Sequence, residues 1–322
     1  MSAPTPPIGR PLLEPTEHFP ALAALRSAVR AGDAQAVRAA FAPLTYEDDR
    51  ALACSVVAGT PECETFLREA VAGQPGDPLL RSLLADRLIR IGWDIRSGQR
   101  AKNVSARQFE QLHAYLRQAE ILLIDVCAEH PRYALAWYLR LITARGLELG
   151  GGESRRRHDR LAEHHPHHYS GQSQLLQQLC PKWGGDWDTA HTFARDRAQA
   201  APEGAPNGAL VAVAQLEQYL DLAENRDKAA AESYLRASEQ HTAVLEAAAR
   251  SVLHPAARTD AHQSVGAHNA FAAIHSVAGR HAEAAQHFRA LGDRATEFPW
   301  GYVGPDHAAA FVRHRKTALA KG

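Results

Sequence analysis

Apolar residues in this chain recur every three to four positions over long stretches, and the strict alternation that marks a strand is nearly absent. That property confines the fold to packed helices, because a helical stripe and a pleated face need different periods. From Ser105 onward the stripe reads Phe109, Leu112, Leu116, Ala119, Leu123 and Val126. Ser105 and Gln108 open it as a capping box, in which two side chains satisfy the first free amides. Thr60 followed by Pro61 marks a second helix start. Gly32, Gly92, Gly150 and Gly279 sit where helices are expected to stop, since glycine accepts the left-handed terminal conformation. The pattern predicts about 12–15 helices joined by short loops, an all-α fold.

Two stretches repeat one another. After Gly32 come Val37, Phe41 and Leu44; after Gly279 come Ala284, Phe288 and Leu291, at the same offsets. A glycine turn followed by a helix with a small or aliphatic residue, then an aromatic four later, resembles the second helix of a tetratricopeptide repeat. Phe271 and His275 fall where its first helix would lie. The period is not kept between the two stretches. The expectation is a degenerate tetratricopeptide-like solenoid of helical hairpins, one domain over residues 18–322, behind a disordered Pro-rich segment, residues 1–17. A compact helical domain with coincidental glycine spacing is the alternative.

The 322 residues carry 36 Lys+Arg against 36 Asp+Glu, a balance that argues against nucleic acid as the main partner. No apolar run reaches the roughly 20 residues a membrane helix needs, so no membrane partner is expected. The first residues, MSAPTPPIGRPLLEPTE, have no apolar core of a signal peptide. Cys54, Cys63, Cys127 and Cys180 lack CxxC spacing, which fits buried thiols in a reducing cytoplasm.

The densest chemistry lies in CPKWGGDWDTAHTFARD, Cys180–Asp196. Pro181 ends a helix, Gly184 and Gly185 permit unusual backbone, and Asp186 caps the helix that starts at Trp187. Lys182 and Trp183 then sit on a loop. Two roles are open: a binding corner with an indole, a cation and free amides, or a structural corner in which Trp183 plugs a gap. Trp93 and Arg96, three apart on a helix, with Arg87 earlier, form a second candidate group. If the two groups share one pocket, their indoles must lie within about 15 Å. Trp300, in the aromatic EFPWGYVGPD loop, either caps a hairpin core or anchors a partner.

Other clusters carry less. His164, His165, His167 and His168 are interrupted by Pro166 and have no carboxylate at ligand spacing, so no metal site is assigned. His268 and His275, seven apart, read as packing residues. Arg155, Arg156, Arg157 and Arg160 read as a solvated face or a source of ion pairs. No dinucleotide, phosphate-loop or nucleophile-elbow motif occurs, and no cofactor is implied.

PKWGGD followed by a helix bearing TFAR resembles the PKWGGS…FAR signature of a family of uncharacterised bacterial helical proteins, a domain-of-unknown-function group with tetratricopeptide-like folds. Actinobacterial members look particularly similar. LADRLIRIGWDIRSG resembles their AWxxRG element, and LGDRATEFPWGYVGPDHAAAFVRHR their closing segment. The likeness runs from about Leu79 to Arg315 and departs at Asp186, where serine is usual. It implies a fold and no activity. The functional expectation is a cytoplasmic interaction module that takes a peptide or helix of an unknown protein partner in a concave groove. The alternative is an enzyme or small-ligand protein with its site at the KWGGD corner.

Overall fold

The computed structural model describes residues 9–98, 103–224 and 228–322. Among these residues the chain is all-α, with 18 α-helices and short 3-10 turns. The sequence pattern predicts one domain over residues 18–322; the helices instead gather into two compact units. One is Phe19–Gly185. The other is Asp186–Gly322 with the segment ending at His18, which contains the four-residue α1 (Pro15–His18).

The Phe19–Gly185 unit holds α2 (Pro20–Arg30), α3 (Ala34–Phe41), α4 (Glu47–Ala58), α5 (Glu64–Gly73), α6 (Pro78–Arg96), α7 (Ala106–Glu129), α8 (Ala134–Gly146), α9 (Gly150–Ala162) and α10 (Tyr169–Leu179). The predicted stripe of α7 faces inward: Leu112, Leu116, Ala119, Leu123 and Val126 are buried against Leu80, Leu83 and Leu88 of α6. The Ser105–Gln108 capping box is present. Gly92 does not end a helix. It lies inside α6, where Leu112 and Tyr115 come within 3.2–3.3 Å of the place a Cβ would occupy, so it serves close helix approach. Gly150 opens α9 with φ +83° rather than closing α8. Pro61 likewise precedes its helix, which begins at Glu64.

Polar groups tie this unit across long sequence distances. Glu120 of α7 is buried and accepts from Arg140, Arg157 and Thr143, so Arg157 is part of the interior rather than a solvated face. Asp48 of α4 accepts from the amides of Tyr169 and Ser170, placing a carboxylate on the first turn of α10.

The other unit holds α11 (Trp187–Ala200), α12 (Ala209–Glu224), α13 (Lys228–Arg236), α14 (Ser238–Arg250), α15 (His262–Val277), α16 (His281–Leu291), α17 (Glu297–Val303) and α18 (His307–Lys321). Gly279 (φ +70°) turns α15 into α16, burying Ala284, Phe288 and Leu291 at the predicted offsets. The same conformation recurs at Gly32 (φ +68°), and Val37 and Phe41 are buried beyond it. Residues 1–8 of the Pro-rich lead-in lie outside the described residues. Its remainder is not disordered. Leu12 donates to Asp293 and accepts from Ala295, both at 2.8 Å, while Arg315 reaches the Gly9 carbonyl. Backbone pairing, absent from any composition argument, fixes it. EFPWGYV is the short helical segment α17, kinked at Phe298, whose backbone is extended (ψ 132°).

Candidate functional site

The Trp93 and Trp183 groups do converge. Their ring centroids are 6.4 Å apart and nearly perpendicular. Trp183 closes a 3-10 turn, Pro181–Trp183, that ends at Gly184 in the left-handed conformation (φ +86°). Its carbonyl accepts from Gln178 Nε2 at 2.9 Å. Gly185 fits because its Cα has no side chain: a Cβ there would run into the backbone of Leu179. Trp93 lies against Gly146 of α8, within 3.1 Å of a Cβ built there.

The aromatic faces of this corner are already used. Arg96 stacks over Trp93 and Phe109, each at 5.9 Å, and Arg145 over Trp183 at 5.5 Å. Arg145 also donates to Gln174. Each indole therefore meets a cation of its own chain. Lys182 is exposed and Trp183 half-buried. Arg87 takes no part: its guanidinium donates to the Ala58 carbonyl at 2.9 Å, in the last turn of α4. Asp186 belongs to the other unit, where it caps α11 by accepting from Thr189 N at 2.8 Å. That amide holds its carboxyl below the ordinary range. Trp300 is fully buried, stacked on Phe288, with its indole N–H donated to Asn269 at 2.6 Å. It is core, and leaves the candidate set.

The cavity that the sequence did not announce lies in the Asp186–Gly322 unit. A cleft of about 450 Å³ opens between α11, α12, α13 and α14. Trp187, His191 and Arg195 of α11 line it at intervals of four, hence on one face. His191 Nε2 meets Gln218 Oε1 of α12 at 2.6 Å, and the Tyr234 hydroxyl lies 3.4 Å from the same nitrogen. Trp187 donates to Asp221 at 3.3 Å. Burial favours the neutral ring of His191, lowering its pKa, and raises that of the Tyr234 phenol. Asp188 and Glu239 bring carboxylates to the lining. The signal was present as the Trp187–His191–Arg195 spacing, but nothing in the sequence brings α13 and α14 over it.

A file of histidines runs through α14, α15 and α16. His241 meets His275 edge-on, His275 stacks on His287, and His287 Nδ1 lies 3.0 Å from His268 Nδ1. Burial drives His268 and His275 down to about 4 and His287 well below its ordinary value. His268, His275 and His287 therefore stay neutral near pH 7. No group of three or more metal-ligating side chains is found among the described residues. No described helix is long and apolar enough to cross a membrane.

No family model, no curated protein and no solved structure matches this chain.

Proposed function

We propose that the chain is a helical ligand-binding protein whose site is the cleft framed by α11, α12, α13 and α14. One observation carries the reading: a cleft of about 450 Å³ that combines an indole, a phenol and a neutral imidazole with three charged side chains. Ordinary small-molecule sites have that size, and a lining this rich in polar and charged groups suits a polar ligand. The Trp93–Trp183 corner, by contrast, fits a clamp, since its rings are stacked by arginines of the same chain. A thermal-shift screen of metabolites and short peptides tests the reading, with Ala243→Trp as the blocked control because Ala243 lines the cleft. Compounds that raise the Tm of the native chain but not of the blocked variant support it. A screen in which no compound distinguishes the two proteins overturns it.

A second reading has its own support. The matched conformations of Gly32 and Gly279, each followed by buried residues at the same offsets, favour tetratricopeptide-like hairpins. On this reading the chain is a cytoplasmic interaction module, related to the bacterial PKWGG…FAR family, that receives a protein partner in a groove. Four free, buried cysteines are consistent with that compartment. Repeated affinity capture from the native host that yields no reproducible partner counts against it.

A further inference from the structure

We propose that the cleft binds a free basic α-amino acid, its head group at the Arg195–Glu239 end and its side-chain cation at the Asp188–Trp187 end. The proposal rests on the reading of the cleft as a ligand site.

The two ends follow from helix register. Trp187 pairs with Asp221 and His191 with Gln218, so α11 and α12 run antiparallel. One turn beyond His191 stands Arg195; one turn before Gln218 stands Gln215, whose amide donates to the Gln240 carbonyl at 3.0 Å. Arg195, Glu239 and Gln240 therefore gather at one end. Asp188, Trp187 and Asp221 gather at the other. Seven residues of α11 separate Asp188 from Arg195, about 10 Å along the axis.

The charges of the lining sit at its two ends. Asp188 is negative, Arg195 positive and Glu239 negative; between the ends stand only neutral groups, His191, Gln218 and Tyr234. A ligand that satisfies all three charges carries an ammonium, a carboxylate and a second cation. An α-amino acid head group supplies the first two side by side. Arg195 spends one bond on Thr192, at 3.3 Å, and its fork retains donors for a carboxylate. The ammonium meets the Glu239 carboxylate at the same end. A four-carbon stem of about 6 Å then crosses the His191 and Tyr234 rings, and side-chain reach from both ends of α11 closes the rest. Its terminal ammonium arrives at the Trp187 face beside Asp188, an aromatic wall with a carboxylate, which suits an organic cation.

Isothermal titration of the full chain with four probes tests this. L-lysine is expected to bind. L-norleucine, which lacks the side-chain cation, and cadaverine, which lacks the carboxylate, are each expected to bind at least tenfold more weakly. Nα-acetyl-lysine, which mimics a basic residue at a peptide C-terminus, is also expected to lose tenfold; equal binding would assign the cleft to peptide ends rather than free amino acids and overturn the proposal. Asp188→Asn should bring lysine down to norleucine, and Arg195→Gln down to cadaverine, both at exposed positions where folding is not at stake. Norleucine or cadaverine binding as tightly as lysine, or lysine failing to bind, overturns the proposal. If lysine fails while other compounds still distinguish native chain from Ala243→Trp, only the ligand class falls. If lysine binds equally to Ala243→Trp, the cleft itself is wrong.

Discussion

Gly185 is the residue of the Trp183 corner that tolerates replacement least. A Cβ at Gly185 meets the Leu179 backbone, which cannot turn aside as a side chain would, so Gly185→Ala should cost about 3 kcal/mol or more of stability. Gly184 has open space around it and only its positive φ to lose, so Gly184→Ala should cost about 1 kcal/mol. Trp183→Ala should cost about 2 kcal/mol, below the 3–5 kcal/mol of a fully buried indole, because the ring is half-buried. Lys182→Ala, at an exposed position, should fall within about 0.5 kcal/mol of the native chain. Urea denaturation of the four variants checks the order; equal losses at Gly184 and Gly185 would contradict the steric account. The sequence made this corner visible because glycine, proline and tryptophan have few alternative uses when crowded together. It did not show Arg145, whose place over Trp183 comes from a helix 38 residues away in the chain.

At the scale of elements, buried polar groups join what the hydrophobic stripe only brings near. Glu120 is the hub between α7, α8 and α9. Glu120→Ala leaves Arg140 buried without its counter-charge and Arg157 with Glu153 alone, and should cost about 3–5 kcal/mol by chemical denaturation. A loss under 1 kcal/mol would mean that water replaces the carboxylate. The histidine file makes a pH prediction. His268 and His275 keep folded pKa values near 4, below those of the unfolded chain, so the unfolded state binds more protons as the solution is acidified. Stability present above pH about 6.5 is therefore lost as pH falls toward 4, on the order of 3 kcal/mol for His268 alone. Urea midpoints between pH 7 and pH 4.5 should fall in the native chain and flatten in His268→Gln. Capping boxes and stripes were legible because their partners lie within a turn. The Glu120 hub and the histidine file were not, because their members come from different helices.

Across the whole molecule, acid should act on the two units in opposite senses. Burial raises the Asp86 carboxyl in the Phe19–Gly185 unit to about 6, so its folding penalty is present above pH 6 and relieved as pH falls toward 4. The histidine penalty in the other unit grows over the same range. Protection factors, exchange rates corrected for the slower base catalysis of free amides in acid, should therefore fall from pH 7 to pH 5 in α15 and α16 more than in α6; a uniform fall would refute the assignment. All four thiols are buried, and burial raises those of Cys54, Cys63 and Cys127. A thiol reagent should label the native chain slowly and reach four equivalents only in denaturant. The helical class was legible because period is a local property. The division at Gly185 was not, since it depends on which stripes meet, and no residue announces that. The pairing of Leu12 with Asp293 and Ala295 has a further consequence for synthesis. A chain leaves the ribosome N-terminus first. Leu12 must then wait, without these partners, while some 280 residues are translated before the edge it docks on exists. The Phe19–Gly185 unit, continuous in sequence, is complete much earlier. The segment around Leu12 is thus made well before the partner that places it.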